Sequence, residues 1–167
     1  MTKIEKRRIE ITTHPVGDSG DNMGDKWDKR FIELAKHISL WSKDPSTKVG
    51  CVVVGGDREI RSTGFNGFPR GIEDDETRLS DRSLKYPLIC HAEENAIMHA
   101  ARVGVSLKGN TAYVTWPPCS RCTRSLIQAG INEVVFPKSL EIPERWEEDF
   151  SIAMSMMSEA QITVRQV

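Results

Sequence analysis

Long apolar runs and an excess of charge of one sign are both absent from this chain. No apolar run approaches the roughly 20 residues needed to span a bilayer, so a membrane-spanning protein is not expected. The formal net charge is only −1, with 23 basic and 24 acidic residues, which gives no broad basic surface for a polynucleotide. A mononucleotide needs only a few local donors, and a chain with balanced charge can still supply them.

The chain also lacks the apolar segment of a secretory signal, because its first residues are mostly charged. A cytoplasmic location with reduced thiols is therefore expected. With 167 residues, 38% hydrophobic and 28% charged, the chain fits one globular domain over residues 25–167. Residues 1–24 are rich in charge, Gly and Asp, which indicates an N-terminal arm that is either a loose tail or packs on a neighbouring subunit.

Apolar spacing and turn residues predict alternating helices and strands. Helices are predicted at 27–41, 91–103, 120–129 and 145–160, and strands at 49–54, 59–65, 111–115, 133–136 and 162–167. The first two strands are predicted to form a hairpin. Residues 72–87 carry mixed charge with little periodicity, so they are predicted to be a long surface loop. The pattern as a whole predicts an α/β sandwich around a mixed sheet.

Two short motifs carry the chemistry that the composition leaves open. His91-Ala92-Glu93 is followed, after a gap, by Pro118-Cys119 and then Cys122. Two cysteines three apart on a helical turn share a face, so they can bind one ion together with His91. An imidazole and two thiolates make a three-ligand zinc site whose fourth tetrahedral position stays open, which is typical of catalytic zinc. Such a zinc ion lowers the pKa of its water to about 7.

Glu93 lies two residues from the expected ligand His91 and is the candidate proton carrier. Glu94 is its rival, but adjacent helical residues point about 100° apart, which favours one of them alone. A structural zinc or a redox-active pair of cysteines is the alternative interpretation of the site. Cys90 is the candidate fourth ligand that a structural zinc would need. Cys90 and Cys51 are instead predicted to be core thiols.

Several motifs together resemble the deoxycytidylate (dCMP) deaminase family of the zinc-dependent cytidine/deoxycytidylate deaminase superfamily. They are Ser42-Lys43-Asp44-Pro45, Lys48-Val49-Gly50, the segment from Gly64 to Pro69, the segment from Cys90 to Ile97, Pro118-Cys119 with Cys122, and Gln128-Ala129-Gly130-Ile131. The resemblance covers residues 27–136, in order and with matching gaps. It implies a three-layer α/β/α sandwich around a mixed five-stranded sheet, as in cytidine deaminases.

The resemblance also implies an activity and a set of site residues. The implied reaction is hydrolytic deamination of dCMP to dUMP and ammonia, which feeds thymidylate synthesis. The implied ligands of one zinc ion per subunit are His91, Cys119 and Cys122, with Glu93 as the proton carrier. For the substrate, the implied contacts are Asn66 to the sugar, the Ala92 backbone to the base edge, and the loop around Ser42 and Lys43 to the phosphate.

Regulation and assembly are implied by the same resemblance. Relatives of this kind are often hexamers that dCTP activates and dTTP inhibits, and Mg²⁺ can accompany such a triphosphate. The implied effector residues are Gly64, Phe65, Gly67, His99 and Arg102. From spacing alone, His99 lies two helical turns, about 11 Å, beyond His91 and is too far away to be a metal ligand.

Two alternative functions stay open from the sequence. The first is a deaminase of another cytosine nucleotide or nucleoside, which would use the same zinc and Glu93. The second is a zinc-stabilised nucleotide-binding regulator without catalysis. A polynucleotide substrate is disfavoured by the balanced charge.

Overall fold

A computed structural model describes residues 23–138, 140 and 142–167 of the chain. The helices are α1 (Met23–Ser39), α2 (Glu76–Ser80), α3 (Arg82–Leu88), α4 (Ala92–Val103), α5 (Ser120–Gln128) and α6 (Glu144–Glu159). The strands are β1 (Gly50–Val54), β2 (Ile60–Phe65), β3 (Thr111–Val114), β4 (Glu133–Phe136) and β5 (Thr163–Gln166). Among these described helices, none is both long and apolar enough to cross a membrane.

The strands form one mixed five-stranded sheet in the order β2-β1-β3-β4-β5. Strand β1 runs antiparallel to both β2 and β3, whereas β3, β4 and β5 are parallel to one another. The β1–β2 hairpin has an irregular register between Val53 and Val54. The predicted hairpin and the predicted mixed sheet are both confirmed.

Alternation along the strands gives each face of the sheet its own core. Val52 and Val54 face α1 and pack with Phe31 and Ile32. Cys51 and Val53 point to the opposite face, where the core includes apolar residues of α4, α5 and α6. The helices therefore cover both faces, and the predicted three-layer α/β/α sandwich is confirmed.

Helix α1 differs slightly from its prediction. It runs over Met23–Ser39, whereas the apolar spacing predicted residues 27–41. Its buried face includes Phe31, Ile32, Ala35 and Ile38, which are the positions that made the pattern recognisable. Of the predicted arm, residues 23–24 lie in this helix. Residues 1–22 lie outside the described part of the chain, so the arm stays a prediction.

The prediction of a continuous surface loop over residues 72–87 is wrong. This segment contains α2 and most of α3, which ends at Leu88. Asp75 and Asp81 begin the two helices by accepting hydrogen bonds from the backbone nitrogens of Arg78 and Ser83. Both helices are too short to show an apolar period, which explains why the pattern missed them.

Gly64 allows α4 to lie directly on strand β2. A Cβ atom at this position would overlap with the carbonyl oxygen of Ala92 and the backbone nitrogen of Ala96. Ala92, Ala96 and Ala100 form the matching small-residue face of α4 and are buried. This close contact fixes the helix that starts immediately after His91.

Replacing Gly64 with alanine should destabilise the protein by about 1–3 kcal/mol, because backbone atoms of α4 would have to move to admit the methyl group. The free energy of unfolding can be measured by urea denaturation. Gly56→Ala is the matched control, since a Cβ there would meet nothing within 4 Å. Equal stability of the two variants would contradict the proposed contact.

Candidate active site

Three side chains from two separate sequence motifs meet where α4 and α5 begin. His91 is the N-cap residue of α4, and Cys119 is the N-cap residue of α5. Cys122 lies in the first turn of α5 and is buried. His91 Nδ1 lies 3.5 Å from Cys119 Sγ and 3.4 Å from Cys122 Sγ. All three potential ligand atoms lie within 4.8 Å of one another, and we call these three residues the candidate metal group.

The dimensions and chemistry of the candidate metal group fit zinc. With a Zn–N bond of about 2.05 Å and Zn–S bonds of about 2.3 Å, tetrahedral angles separate N and S by about 3.5 Å. The N···S distances of 3.5 and 3.4 Å agree with that value. Within the described residues, the group has three members and includes neither Cys90 nor Glu93. Three protein ligands of this kind leave the fourth tetrahedral position of zinc open.

Hydrogen bonds within the candidate metal group shift the pKa values of its thiols in opposite directions. The side-chain hydrogen bond with Cys122 lowers the pKa of Cys119, and the bond with His91 acts in the same direction. The pKa of Cys122 is raised by its hydrogen bond with Cys119, and burial adds to this effect. The hydrogen bond to Cys119 also raises the pKa of His91. Thiolate character close to two helix N-termini suits cation binding.

Glu93 is buried, with only 3% of its surface exposed, and its carboxyl interacts electrostatically with His91 and Cys119 of the candidate metal group. Burial raises the pKa of its carboxyl to about 7, although the nearby His91 acts in the opposite direction. Glu94, the rival candidate, points elsewhere and lies 3.7 Å from the Arg121 guanidinium. Of the two carboxylates, Glu93 is therefore the one that lies inside the site.

The remaining cysteines lie outside the candidate metal group. Cys51 is fully buried in the core between β1 and the α4–α6 layer, as predicted. Cys90 is half-buried, and its backbone forms two hydrogen bonds with Gly67 of 2.9 and 3.1 Å. This bridge ties the turn after β2 to the residue that precedes His91.

Three of the expected substrate residues lie in the loop 42–49 or are bonded to it, and their side chains already have partners. The Ser42 hydroxyl is buried and donates to the Asn66 carbonyl oxygen at 2.7 Å. The Asn66 amide accepts from the Val49 nitrogen at 2.8 Å and donates to the Thr47 carbonyl oxygen at 2.9 Å. Lys43 is exposed and pairs with Asp74 at 2.8 Å.

Ala92, the fourth expected substrate residue, is buried in the first turn of α4. The expected effector residues lie on β2, on the turn that follows it and on α4: Gly64, Phe65, Gly67, His99 and Arg102. The Phe65 ring makes an edge contact with Trp41, and His99 Nδ1 lies 3.4 Å from the Thr63 carbonyl oxygen. Arg102 is exposed near the end of α4. These residues thus share one edge of the sheet, where β2 is the last strand.

Sequence reasoning missed two contacts that support the site. Asp149 on α6 accepts from the Ser120 nitrogen at 2.9 Å and from the Ser120 hydroxyl at 2.5 Å, so it caps the start of α5. Lys85 on α3 pairs with Asp44 in the loop 42–49 at 3.1 Å, and both are buried.

The Asp residues that begin α2 and α3 were the available signal for those helices. No local pattern predicts which distant side chain completes a cap or an ion pair.

An α/β/α sandwich that carries an imidazole, two thiols and a buried carboxylate at two helix starts defines a metal-dependent hydrolase of the nucleobase deaminase class. Comparison with known proteins agrees. Residues 25–138 match the family model described as cytidine and deoxycytidylate deaminase zinc-binding region. The chain belongs to this family of zinc-dependent deaminases.

Individual relatives extend the similarity to nearly the whole chain. A probable deoxycytidylate deaminase of Caenorhabditis elegans is 36% identical over 169 residues, covering 99% of this chain and 82% of the relative. An uncharacterized deaminase of Aliivibrio fischeri is 42% identical over 140 residues, covering 83% of this chain and 92% of the relative. The dCMP deaminase of cyanophage S-TIM5 in complex with dCMP and dUMP shares the fold, with a TM-score of 0.69 and 23% identity over 85% of this chain and 97% of that one.

Replacing Asp149 with alanine should weaken zinc binding about 10-fold. This is the lower end of the loss in affinity found when residues that orient metal ligands, without contacting the metal, are replaced. The expected cause is a looser start of α5, which carries both cysteines. Zinc affinity can be measured by competition with a chromophoric chelator. The control is Glu148→Ala, which removes the exposed neighbouring carboxylate on α6. If both variants retain zinc equally, the cap on Ser120 has no role in positioning the ligands.

Proposed function

We propose that this chain catalyses the hydrolytic deamination of dCMP to dUMP and ammonia, with zinc held by His91, Cys119 and Cys122. The single observation that carries the proposal is the buried Glu93 carboxylate, which lies beside the candidate metal group without being one of its members. The substrate is supported by the relatives, among them the probable deoxycytidylate deaminase that aligns with 99% of this chain. The product would feed thymidylate synthesis.

Glu93 is the proposed catalytic residue. When bound, zinc supplies the Lewis acidity that makes water a nucleophile near neutral pH. The Glu93 carboxylate accepts a proton from the attacking water and passes it to the ring nitrogen of cytosine. A new C–O bond forms at C4. Glu93 then carries the proton of the new C4 hydroxyl to the amino nitrogen, so that the C4–N bond breaks, the C4 carbonyl of uracil forms and ammonia leaves. One water is consumed, and no oxidant or reductant is needed.

Substrate recognition would come from the residues around the loop 42–49. The Ala92 backbone at the start of α4 is proposed to contact the base edge. Asn66 is proposed to contact the sugar, in addition to the two loop contacts that its amide already makes. The phosphate is proposed to bind near Ser42 and Lys43, where the exposed Lys43 ammonium can exchange its surface ion pair for a phosphate contact.

Regulation by dCTP as activator and dTTP as inhibitor is a further part of the proposal, together with a hexameric assembly and Mg²⁺ bound with the triphosphate. The supporting geometry is the location of the expected effector residues on two elements that touch each other. Gly64 lies under α4, so a shift of β2 would be transmitted to the helix that begins after His91. A cytoplasmic location stays a prediction from the sequence.

Replacing Glu93 with glutamine should leave zinc bound and reduce kcat for dCMP by about 100- to 10,000-fold, because the amide cannot carry protons. The measurement is ammonia release together with the zinc content of each sample. Glu94→Gln is the matched control, because Glu94 contacts Arg121 instead of the candidate metal group. Full activity of the Glu93 variant would exclude the proposed role.

The substrate itself can be tested on the unmodified protein. Specificity constants kcat/KM for dCMP, deoxycytidine and dCTP should rank dCMP first. The site is expected to recognise a single phosphate, which deoxycytidine lacks and which dCTP exceeds by two. A clear preference for deoxycytidine or dCTP would reassign the substrate within the deaminase family. Absence of turnover with every cytosine nucleotide and nucleoside would instead favour the regulator without catalysis.

A further inference from the structure

Lys85 on α3 is buried, and a lysine is almost never buried unless it is paired. Its partner is the buried carboxylate of Asp44. The Lys85 side chain is only 7% exposed, and that of Asp44 is 4% exposed. Lys85 Nζ lies 3.1 Å from Asp44 Oδ1 and 2.7 Å from the Ser46 hydroxyl. Helix α3 is therefore joined to the loop 42–49 by an ion pair shielded from water.

Asp44 organises the loop to which it belongs. Its Oδ1 atom accepts hydrogen bonds from the backbone nitrogens of Ser46 at 2.8 Å and Thr47 at 3.2 Å, as well as from the Ser46 hydroxyl. Burial alone would raise the pKa of Asp44, but these hydrogen bonds and Lys85 hold the pKa below its ordinary value. The carboxylate is therefore charged at neutral pH and binds the Lys85 ammonium as an ion.

The same loop is joined to Asn66 at the end of β2. The Asn66 amide donates to the Thr47 carbonyl oxygen and lies 3.4 Å from Asp44 Oδ2, and it accepts from the Val49 nitrogen. The Ser42 hydroxyl donates to the Asn66 carbonyl oxygen. The loop 42–49 and Asn66 thus form one hydrogen-bonded unit.

This unit is linked to the candidate metal group along two routes. Along the first, Gly67 follows Asn66 and bonds to Cys90, which precedes His91. Along the second, α3 carries Lys85 and ends at Leu88, shortly before the chain reaches His91. Both routes fix the loop relative to His91. Lys85 itself is too buried, and too fully engaged with Asp44 and Ser46, to bind a substrate phosphate directly.

We propose that Lys85 and Asp44 are positioning residues that hold the loop 42–49 at the distance from the candidate metal group that a nucleotide requires. Their ion pair then determines how strongly the enzyme prefers a cytosine nucleotide to the nucleoside that lacks the phosphate. The inference rests on the proposed function, because it assumes that the loop contacts the sugar phosphate. A bound nucleotide holds its phosphate at a fixed distance from the reacting carbon. A small displacement of the loop should therefore weaken nucleotide binding strongly.

Lys85→Met tests the proposal on the zinc-loaded protein, by measuring kcat and KM for dCMP and the inhibition constants of dUMP and deoxyuridine. The expected result is about a 10-fold or larger rise in KM for dCMP and in the inhibition constant of dUMP, as expected for a displaced binding loop. The inhibition constant of deoxyuridine should rise much less, because Asn66 is the one member of the hydrogen-bonded unit proposed to contact the sugar. The values of kcat and the zinc content should stay close to those of the original protein. If the single variant does not fold, Lys85→Met with Asp44→Asn removes both charges and carries the same test.

Arg165→Met is the matched control, because it breaks an ion pair with Asp28 and Glu133 on the α1 side of the sheet. It should lower the melting temperature without changing the ratio between the inhibition constants of dUMP and deoxyuridine. Equal weakening of dUMP and deoxyuridine by Lys85→Met, no change in either, or the same altered ratio in the Arg165 variant would overturn the proposal. An inactive original protein would instead contradict the proposed function.

Discussion

The concentration of ionisable groups at the start of two helices is the constraint on which the rest of the structure depends. Two thiols, an imidazole and a carboxylate lie together, with Cys122 and Glu93 buried and His91 and Cys119 half-buried. Burying several groups that can become negative is costly unless positive charge compensates them. The N-termini of α4 and α5 provide part of that compensation, and a divalent cation held by the candidate metal group would provide the rest.

The rest of the fold holds these groups in place. The parallel strand β3 leads into Pro117 and Pro118 and then into α5, while α4 is pressed against β2 through Gly64. Asp149 on α6 caps the start of α5, and Lys85 on α3 forms an ion pair with Asp44 in the loop 42–49. The Asp149 contact acts at the start of α5, where backbone donors lack helical partners. The site is therefore built from element ends, while the two apolar cores provide its rigid support.

The sequence was sufficient for the sheet, the longer helices and the three residues that meet in the candidate metal group, because each had a local signal. The strands showed β-branched runs, and α4 and α5 begin directly after His91 and Cys119, the first ligands of the two metal-binding motifs. Helices α2 and α3 were missed because they are too short to show a period. Lys85 and Asp149 were missed because their roles come from tertiary contacts across 41 and 29 positions of the chain. The expected contacts of Asn66 and Ser42 to substrate stay predictions, since both side chains also hold the loop 42–49.

The central claim is that one zinc ion is bound by three protein ligands and keeps its fourth position for water. X-ray absorption at the zinc edge of the metal-loaded protein tests this claim most directly. The account predicts two sulfur neighbours at about 2.3 Å and two nitrogen or oxygen neighbours at about 2.0–2.1 Å, one of the latter being exchangeable. A third sulfur, which would have to come from Cys90 or Cys51, or a fourth ligand that does not exchange, would contradict it.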